Sequence, residues 1–302
     1  MPVTAVGSSF QTTDGCGIAY TLRGAYTLRG AYTLRGAHTP REASPRHAAG
    51  GPNRIALIHS LALDQSIWDG VAEQLADRAS VLAYDTRGHG RSSRVPGPFS
   101  MEQFAQDLAQ LMDHVGWPSA IVAGCSMGGG VAQAFGGLYP RRTEGLGLID
   151  TTAWYGAEAS AQWRQRAATA KAKGLDSMLN FQTARWFGDC FRLEHADLVD
   201  ATAHVFLAND PDCYAATCEM LGDADLRPYL RAFRMPVAVV VGEEDYATPI
   251  AAARELHEAI SGSTLTILKG RHLTPIECPD QIAGILGTLI ERASSQSNKE
   301  IS

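Results

Sequence analysis

Six short, almost uninterrupted apolar runs set the first limit on what this chain can fold into. They are residues 54–59 (RIALIH), 80–85 (SVLAYD), 120–124 (AIVAG), 146–150 (LGLID), 237–242 (VAVVVG) and 263–269 (STLTILK). A strand with one wet face alternates apolar and polar residues, whereas runs like these suit strands buried on both faces of a parallel sheet. Parallel strands need long crossovers, and helical patterns occupy the gaps. The clearest is 100–115. Phe104, Leu108, Leu111, Met112 and Val115 share one face there, and Ser100 with Gln103 makes a capping-box signature. The alternation predicts an α/β fold with a mostly parallel central sheet flanked by helices. With 302 residues, 45% of them hydrophobic, the chain can bury one.

Two segments break the rhythm. Residues 154–233 carry Trp154, Trp163 and Trp186 on a helical pattern with no convincing strand. Lying between two sheet strands, they predict a helical cap over one edge of the sheet. The chain then divides into a core (1–153 and 234–292), a cap (154–233) and a polar tail (293–302) expected to be flexible. The second break is YTLRGA, which occurs in tandem at 20–25, 26–31 and 32–37. Three hexads are too few for a solenoid. An even period keeps each residue on the same strand face, so any copy can pair in equivalent register. One copy is expected in the sheet, with the others bulging or looping out. Residues 38–53 then read as a surface linker.

The remaining bulk features exclude several function classes. The net charge is −6 with no long basic block, which argues against nucleic acid as a partner. No segment approaches 18 continuous apolar residues, so no membrane span is expected, and the N-terminus lacks the pattern of a signal peptide. The six cysteines form no CxxC pair and read as free thiols in a reducing cytoplasm. No metal-ligand constellation appears and no G-x-G-x-x-G follows a strand, so neither metal nor cofactor is expected.

Chemistry enters at residues 121–133, IVAGCSMGGGVAQ. Gly124-Cys125-Ser126-Met127-Gly128 fits G-x-S-x-G where a strand passes into a helix, which makes Ser126 a candidate nucleophile on a strained turn. The bland alternative is a glycine-rich strand–helix turn without chemical importance. The strand at 237–242 is followed by Glu243-Glu244-Asp245, and the strand at 263–269 by Arg271-His272. Asp245 and His272 complete a Ser, Asp, His order in which His272 takes the serine proton and Asp245 orients the imidazole. Asp245 could instead cap a helix, leaving Glu243 or Glu244 as the acid, and His272 could be an ordinary surface histidine. An oxyanion hole needs two N–H donors. Met127, after the nucleophile, supplies one, and Leu61, with Ser60 as the alternative, the other. His59, Asp85 and His89 read as structural, and Cys125 should point away from substrate.

On these segments the chain resembles the α/β hydrolases over about residues 14–292, and within them the 3-oxoadipate enol-lactonases. SLALDQSIWD (60–69), LAYDTRGHGRSS (82–93), GCSMGGGVAQ (124–133), ARWF (184–187) and GEEDYATP (242–249) carry the likeness, together with Thr151-Thr152-Ala153-Trp154 and Asp225-Leu226-Arg227. His59, where those lactonases often carry Asn, Pro275 and the triplicated hexad depart from the pattern. The resemblance implies an α/β-hydrolase fold and an acyl-enzyme mechanism on a small-molecule lactone or ester, with water as second substrate and no cofactor. It implies a pocket roof in which Trp154 and Trp186 take part, unless they are cap core. The substrate's carboxylate would need a cationic partner, for which Arg87, Arg164 and Arg185 are candidates.

Overall fold

The computed structural model describes residues 6–24 and 53–301. An eight-stranded sheet runs through it in the order β1-β2-β4-β3-β5-β6-β7-β8. The strands are β1 (Val6–Gln11), β2 (Gly17–Arg23), β3 (Asn53–Ile58), β4 (Ala79–Tyr84), β5 (Ala120–Cys125), β6 (Thr143–Ile149), β7 (Val237–Gly242) and β8 (Thr264–Leu268). From β4 to β8 every neighbouring pair is parallel, while β1 and β2 form an antiparallel hairpin on the β4 edge. Every residue of β4, β5 and β7 is buried, as their continuous apolarity requires.

All six apolar runs are strands, with ends shifted by at most three residues and the run 237–242 matched at both ends. Asn53, assigned to the linker, opens β3, and His59 falls outside it. The hairpin β1–β2 lacks that signature because it sits at the sheet's edge and is only partly covered. The first hexad copy enters the sheet: Tyr20 to Arg23 pair with Tyr84 to Val81. The other two copies and the rest of the linker lie outside the described residues.

Helices cover both faces of the core. They are α1 (Asp69–Leu75), α2 (Met101–His114), α3 (Met127–Leu138), then α10 (Ile250–Ala259), α11 (Thr274–Glu277) and α12 (Pro279–Ile301). On α2 the Ser100 hydroxyl accepts the Gln103 N–H at 3.1 Å, and Phe104, Leu108, Leu111 and Met112 are buried. Each such side chain contributes roughly 1.5–3 kcal/mol. The tail expected to be flexible is instead helical to Ile301. It contains neither Gly nor Pro, and the hydroxyls of Ser294 and Ser295 donate to carbonyls one turn back.

Between β6 and β7 the chain makes six further helices: α4 (Ala159–Lys173), α5 (Leu179–Trp186), α6 (Asp189–Glu194), α7 (Ala196–Leu207), α8 (Pro211–Asp223) and α9 (Arg227–Leu230). An antiparallel bridge between Trp154 and Asp225 ties the exit of this insertion to its return. The chain leaves central β3 toward β4 and returns to β5 on the other side. That reversal opens a crevice at the carboxyl ends of β3 and β5, where open α/β sheets bind ligands.

Candidate active site

Ser126 sits at that crevice, between β5 and the first turn of α3, with φ 55° and ψ −114°. Such a conformation is costly for a residue with a side chain and persists only where its surroundings fix it. Here the Ser126 N–H donates to Ile149 C=O at 2.9 Å, and its own carbonyl accepts the Thr151 hydroxyl at 2.7 Å. The glycines two residues to either side make the turn possible. A Cβ on Gly124 would lie 2.0 Å from the Gly128 carbonyl oxygen, and one on Gly128 would lie 2.2 Å from that of Ile58. Close backbone approach thus outweighs the roughly 1 kcal/mol that a helical glycine costs.

Three side chains from three strand ends meet here. His272 Nε2 is 2.9 Å from Ser126 Oγ, and His272 Nδ1 is 2.8 Å from Asp245 Oδ2. All three residues are buried. Asp245 also closes the turn that follows it. Its Oδ1 accepts the Ala247 and Thr248 N–H groups at 2.7 and 2.9 Å, and its Oδ2 accepts the Thr248 hydroxyl at 2.9 Å. Asp245 therefore caps no helix, since the next one begins at Ile250 behind Pro249 with no side-chain cap, and its Oδ2 is the oxygen that faces His272. Glu243 is exposed, and Glu244 pairs with Arg271 at 2.8 Å on the outer face. The His272 loop is tied to the insertion, because the N–H groups of His272 and Leu273 both donate to the Trp186 carbonyl, at 3.0 and 3.1 Å.

Leu61 follows β3 in a turn closed by the Leu63 N–H to Ser60 C=O bond, with Ala62 at φ 58°. Met127 opens α3, where a first-turn N–H has no intrahelical acceptor. Neither the Leu61 nor the Met127 N–H donates to a backbone or side-chain acceptor among the described residues. His59 braces this turn. Its Nε2 accepts the Thr86 N–H at 2.9 Å, so Nδ1 carries the proton and donates to Ser60 C=O at 2.7 Å. Asp85 accepts from Gln65 and Arg91 backbone N–H groups, both at 2.9 Å. The His89 Nδ1–H donates to Arg87 C=O at 3.0 Å, and burial pulls its imidazole down to about 3. Cys125 is fully buried behind the turn, and burial pushes its thiol well above the usual range.

A small cavity over Ser126 and His272 is roofed by Tyr155, Trp163, Arg166, Gln182, Arg185 and Trp186. Trp186 faces it as expected and packs edge-to-face on Phe206, with centroids 5.4 Å apart. Trp154 does not. It is 37% exposed on the outer side, with the Arg227 guanidinium 3.8 Å over its ring, because the Trp154–Asp225 bridge turns it outward. The next residue, Tyr155, takes the inner position, stacked edge-on against Trp163 at 5.2 Å. Burial pushes its phenol up to about 12, against the pull of Arg185 and Arg166 and of its contact with Ser126, so it remains a donor.

Two of the three candidate arginines lie elsewhere. Arg87 is spent on Asp107, through two bonds of 2.6 Å, and on Asp14 at 3.0 Å. Arg164 is exposed and pairs with Asp223. Arg185 lines the cavity, and so does Arg166, which the sequence reading passed over. Arg166 Nε donates to Tyr214 Oη at 2.6 Å. Neither Arg166 nor Arg185 has a carboxylate partner among the described residues. Burial first, and then Arg166, lower the Arg185 guanidinium from its usual range. Gln182, buried between them, has an Oε1 with no partner among the described residues. Their signal in the sequence was spacing: Trp163 with Arg166 and Gln182 with Arg185 are i, i+3 pairs on one helix face each. Among the described residues no group of three His, Cys, Asp or Glu side chains could hold a metal, and no helix is long and apolar enough to cross a membrane. All six cysteines are free.

Known proteins share this architecture. The family described as alpha/beta hydrolase fold matches residues 53–279. A protein named 3-oxoadipate enol-lactonase 2, from Acinetobacter baylyi, is 34% identical over 245 residues, covering 80% of this chain and 91% of that one. The crystal structure of the enol-lactonase from Burkholderia xenovorans superposes with a TM-score of 0.82 at 28% identity, covering 94% of this chain and all of that one. A thermophilic esterase from Thermogutta terrifontis, solved with malate bound, gives 0.81 at 25% identity, covering 96% and 99%.

Proposed function

The chain belongs to the α/β hydrolase family and is a carboxylic ester hydrolase, and from that premise we propose that it opens a carboxylate-bearing enol-lactone, 3-oxoadipate enol-lactone, through a Ser126 acyl-enzyme. The observation that carries this reading is the placement of Arg166 and Arg185. Two guanidiniums without acidic partners share a cavity with Ser126 and His272. Partly buried guanidiniums without acidic partners favour a ligand that brings the negative charge.

The geometry supports the following steps. His272 Nε2 takes the Ser126 proton as Oγ attacks the ring carbonyl. The Leu61 and Met127 N–H groups receive the oxyanion. When the acyl C–O bond breaks, the ring oxygen leaves as an enolate and takes the proton from His272; the enol then tautomerises to the ketone. Water, deprotonated by His272, attacks the acyl carbon, and the proton returns to Ser126. Asp245 holds the imidazole tautomer throughout. Every group these steps need is a protein side chain, a backbone amide or water. The reading includes a reducing cytoplasm, in which six free thiols persist.

The test is steady-state hydrolysis of 3-oxoadipate enol-lactone beside p-nitrophenyl acetate. The lactone should have much the higher kcat/KM and yield 3-oxoadipate. Turnover of the acetate with none of the lactone would make this an esterase of other specificity.

A further inference from the structure

Asp150 has no part in the steps above, yet it is among the most enclosed polar residues in the molecule. It immediately follows β6, with φ 48° and no solvent exposure. Its Oδ1 accepts the Gly242 N–H at 3.1 Å. Its Oδ2 accepts the Thr274 N–H at 3.0 Å and lies 2.7 Å from the Thr274 hydroxyl. The Cys125 sulfur lies 4.0 Å from Oδ2.

These partners have one thing in common. Gly242 ends β7 and begins the loop that carries Asp245. Thr274 lies two residues beyond His272 and opens α11. Cys125 immediately precedes Ser126. The Asp245 and His272 loops also abut directly, since a Cβ on Gly242 would lie 2.0 Å from the Arg271 carbonyl oxygen. A single side chain therefore touches all three segments that deliver the triad, from below. We propose that Asp150 is a positioning residue that sets the His272 imidazole between Ser126 and Asp245 by locking Thr274 to the ends of β6 and β7.

The chemistry of the group suits that task. No cation faces Asp150 among the described residues. Burial, reinforced by the nearby Asp245 charge, pushes its carboxyl well above the usual range. The Gly242 N–H and the Thr274 N–H and hydroxyl all donate to this carboxyl, so both of its oxygens are partnered although it is buried without a cation. Asparagine keeps the shape but presents an NH₂ group to one of the N–H donors, so it can satisfy two of the three contacts.

The inference rests on His272 acting as the base, and the test separates the two claims. The native protein's turnover of the lactone or of a p-nitrophenyl ester checks the first. The second is read from Asp150→Ala, Asp150→Asn, Thr274→Val and the Asp150→Ala/Thr274→Val double variant. Small misplacement of a reacting group can cost about 100-fold. Asp150→Ala should lower kcat by about that factor with KM little changed, and Asp150→Asn should recover most of it. Thr274→Val, an isosteric change less apt to unfold the chain, should lower kcat in the same direction and add little on top of Asp150→Ala. The His272 imidazole resonances should shift in Asp150→Ala and in Thr274→Val without substrate. Native kcat in Asp150→Ala or Thr274→Val, losses that multiply in the double variant, or an unmoved His272 spectrum in an active enzyme would overturn the proposal.

Discussion

Beneath the cavity, Ser126, Asp245 and His272 each leave the carboxyl end of a strand, and backbone hydrogen bonds hold each one. Above it, Trp163, Arg166, Gln182, Arg185 and Trp186 project from α4 and α5, held by ring contacts and a side-chain bond to Tyr214. The floor is fixed by the sheet, so its geometry changes only if the strands move. The roof is fixed by side-chain packing between helices, where one exchange alters shape or charge without disturbing the sheet. The proposed function assigns chemistry to the first region and substrate choice to the second, and the Trp186 carbonyl, bonded to His272 and Leu273, joins them.

The sharpest way to break this division is to remove the nucleophile. Ser126→Ala should lose on the order of 10⁴–10⁶ in rate for every substrate, charged or neutral, with the thermal midpoint unchanged. A variant with substantial activity on any of them would move the chemistry off this serine.

The acid comes next. Asp245→Asn keeps the turn bonds to the Ala247 and Thr248 N–H groups but favours the wrong His272 tautomer, and a comparable change in another triad costs about 10⁴ in kcat. Glu244→Gln, which removes only an exposed pair with Arg271, should cost less than about fivefold. Should the two variants exchange ranks in a kcat comparison, the triad acid has been misassigned.

A smaller effect probes the floor through acid. The unfolded chain protonates His89 near pH 6.5, whereas burial delays this in the folded state to about 3. Unfolded protein therefore binds more protons across that window. Stability should fall as pH drops through it, with His89 adding up to roughly 1.4 kcal/mol per pH unit. His59, lowered by burial in the same direction, adds to the slope. Denaturant midpoints between pH 4 and 7 should show a shallower slope in His89→Asn, and an equal slope would remove His89 from the account.

The same contrast explains what could be read in the sequence. Strand ends leave local marks, an apolar run followed by polar residues in a tight turn, and the three strand ends that bring Ser126, Asp245 and His272 together were legible that way. Roof residues leave weaker marks. Arg166 and Arg87 look equally available in a sequence, and only packing shows that Arg87 is spent on Asp107 while Arg166 has no carboxylate partner among the described residues. Trp154 and Tyr155 are neighbours, and the bridge to Asp225 decides which one faces inward. Asp150 reads as nothing more than the end of a strand, because its partners are 92 and 124 residues away.

The most direct measurement is the ratio of kcat/KM for 3-oxoadipate enol-lactone to that for its methyl ester, in the native protein and in Arg166→Gln/Arg185→Gln. Charge-assisted hydrogen bonds of about 1.5–3 kcal/mol correspond to a preference of roughly 10–100-fold for the free carboxylate. The native ratio should fall in or above that range and collapse toward one in the double variant, with turnover of the methyl ester largely kept. A native ratio near one, or a ratio the double variant leaves intact, would contradict a roof that selects its substrate by charge.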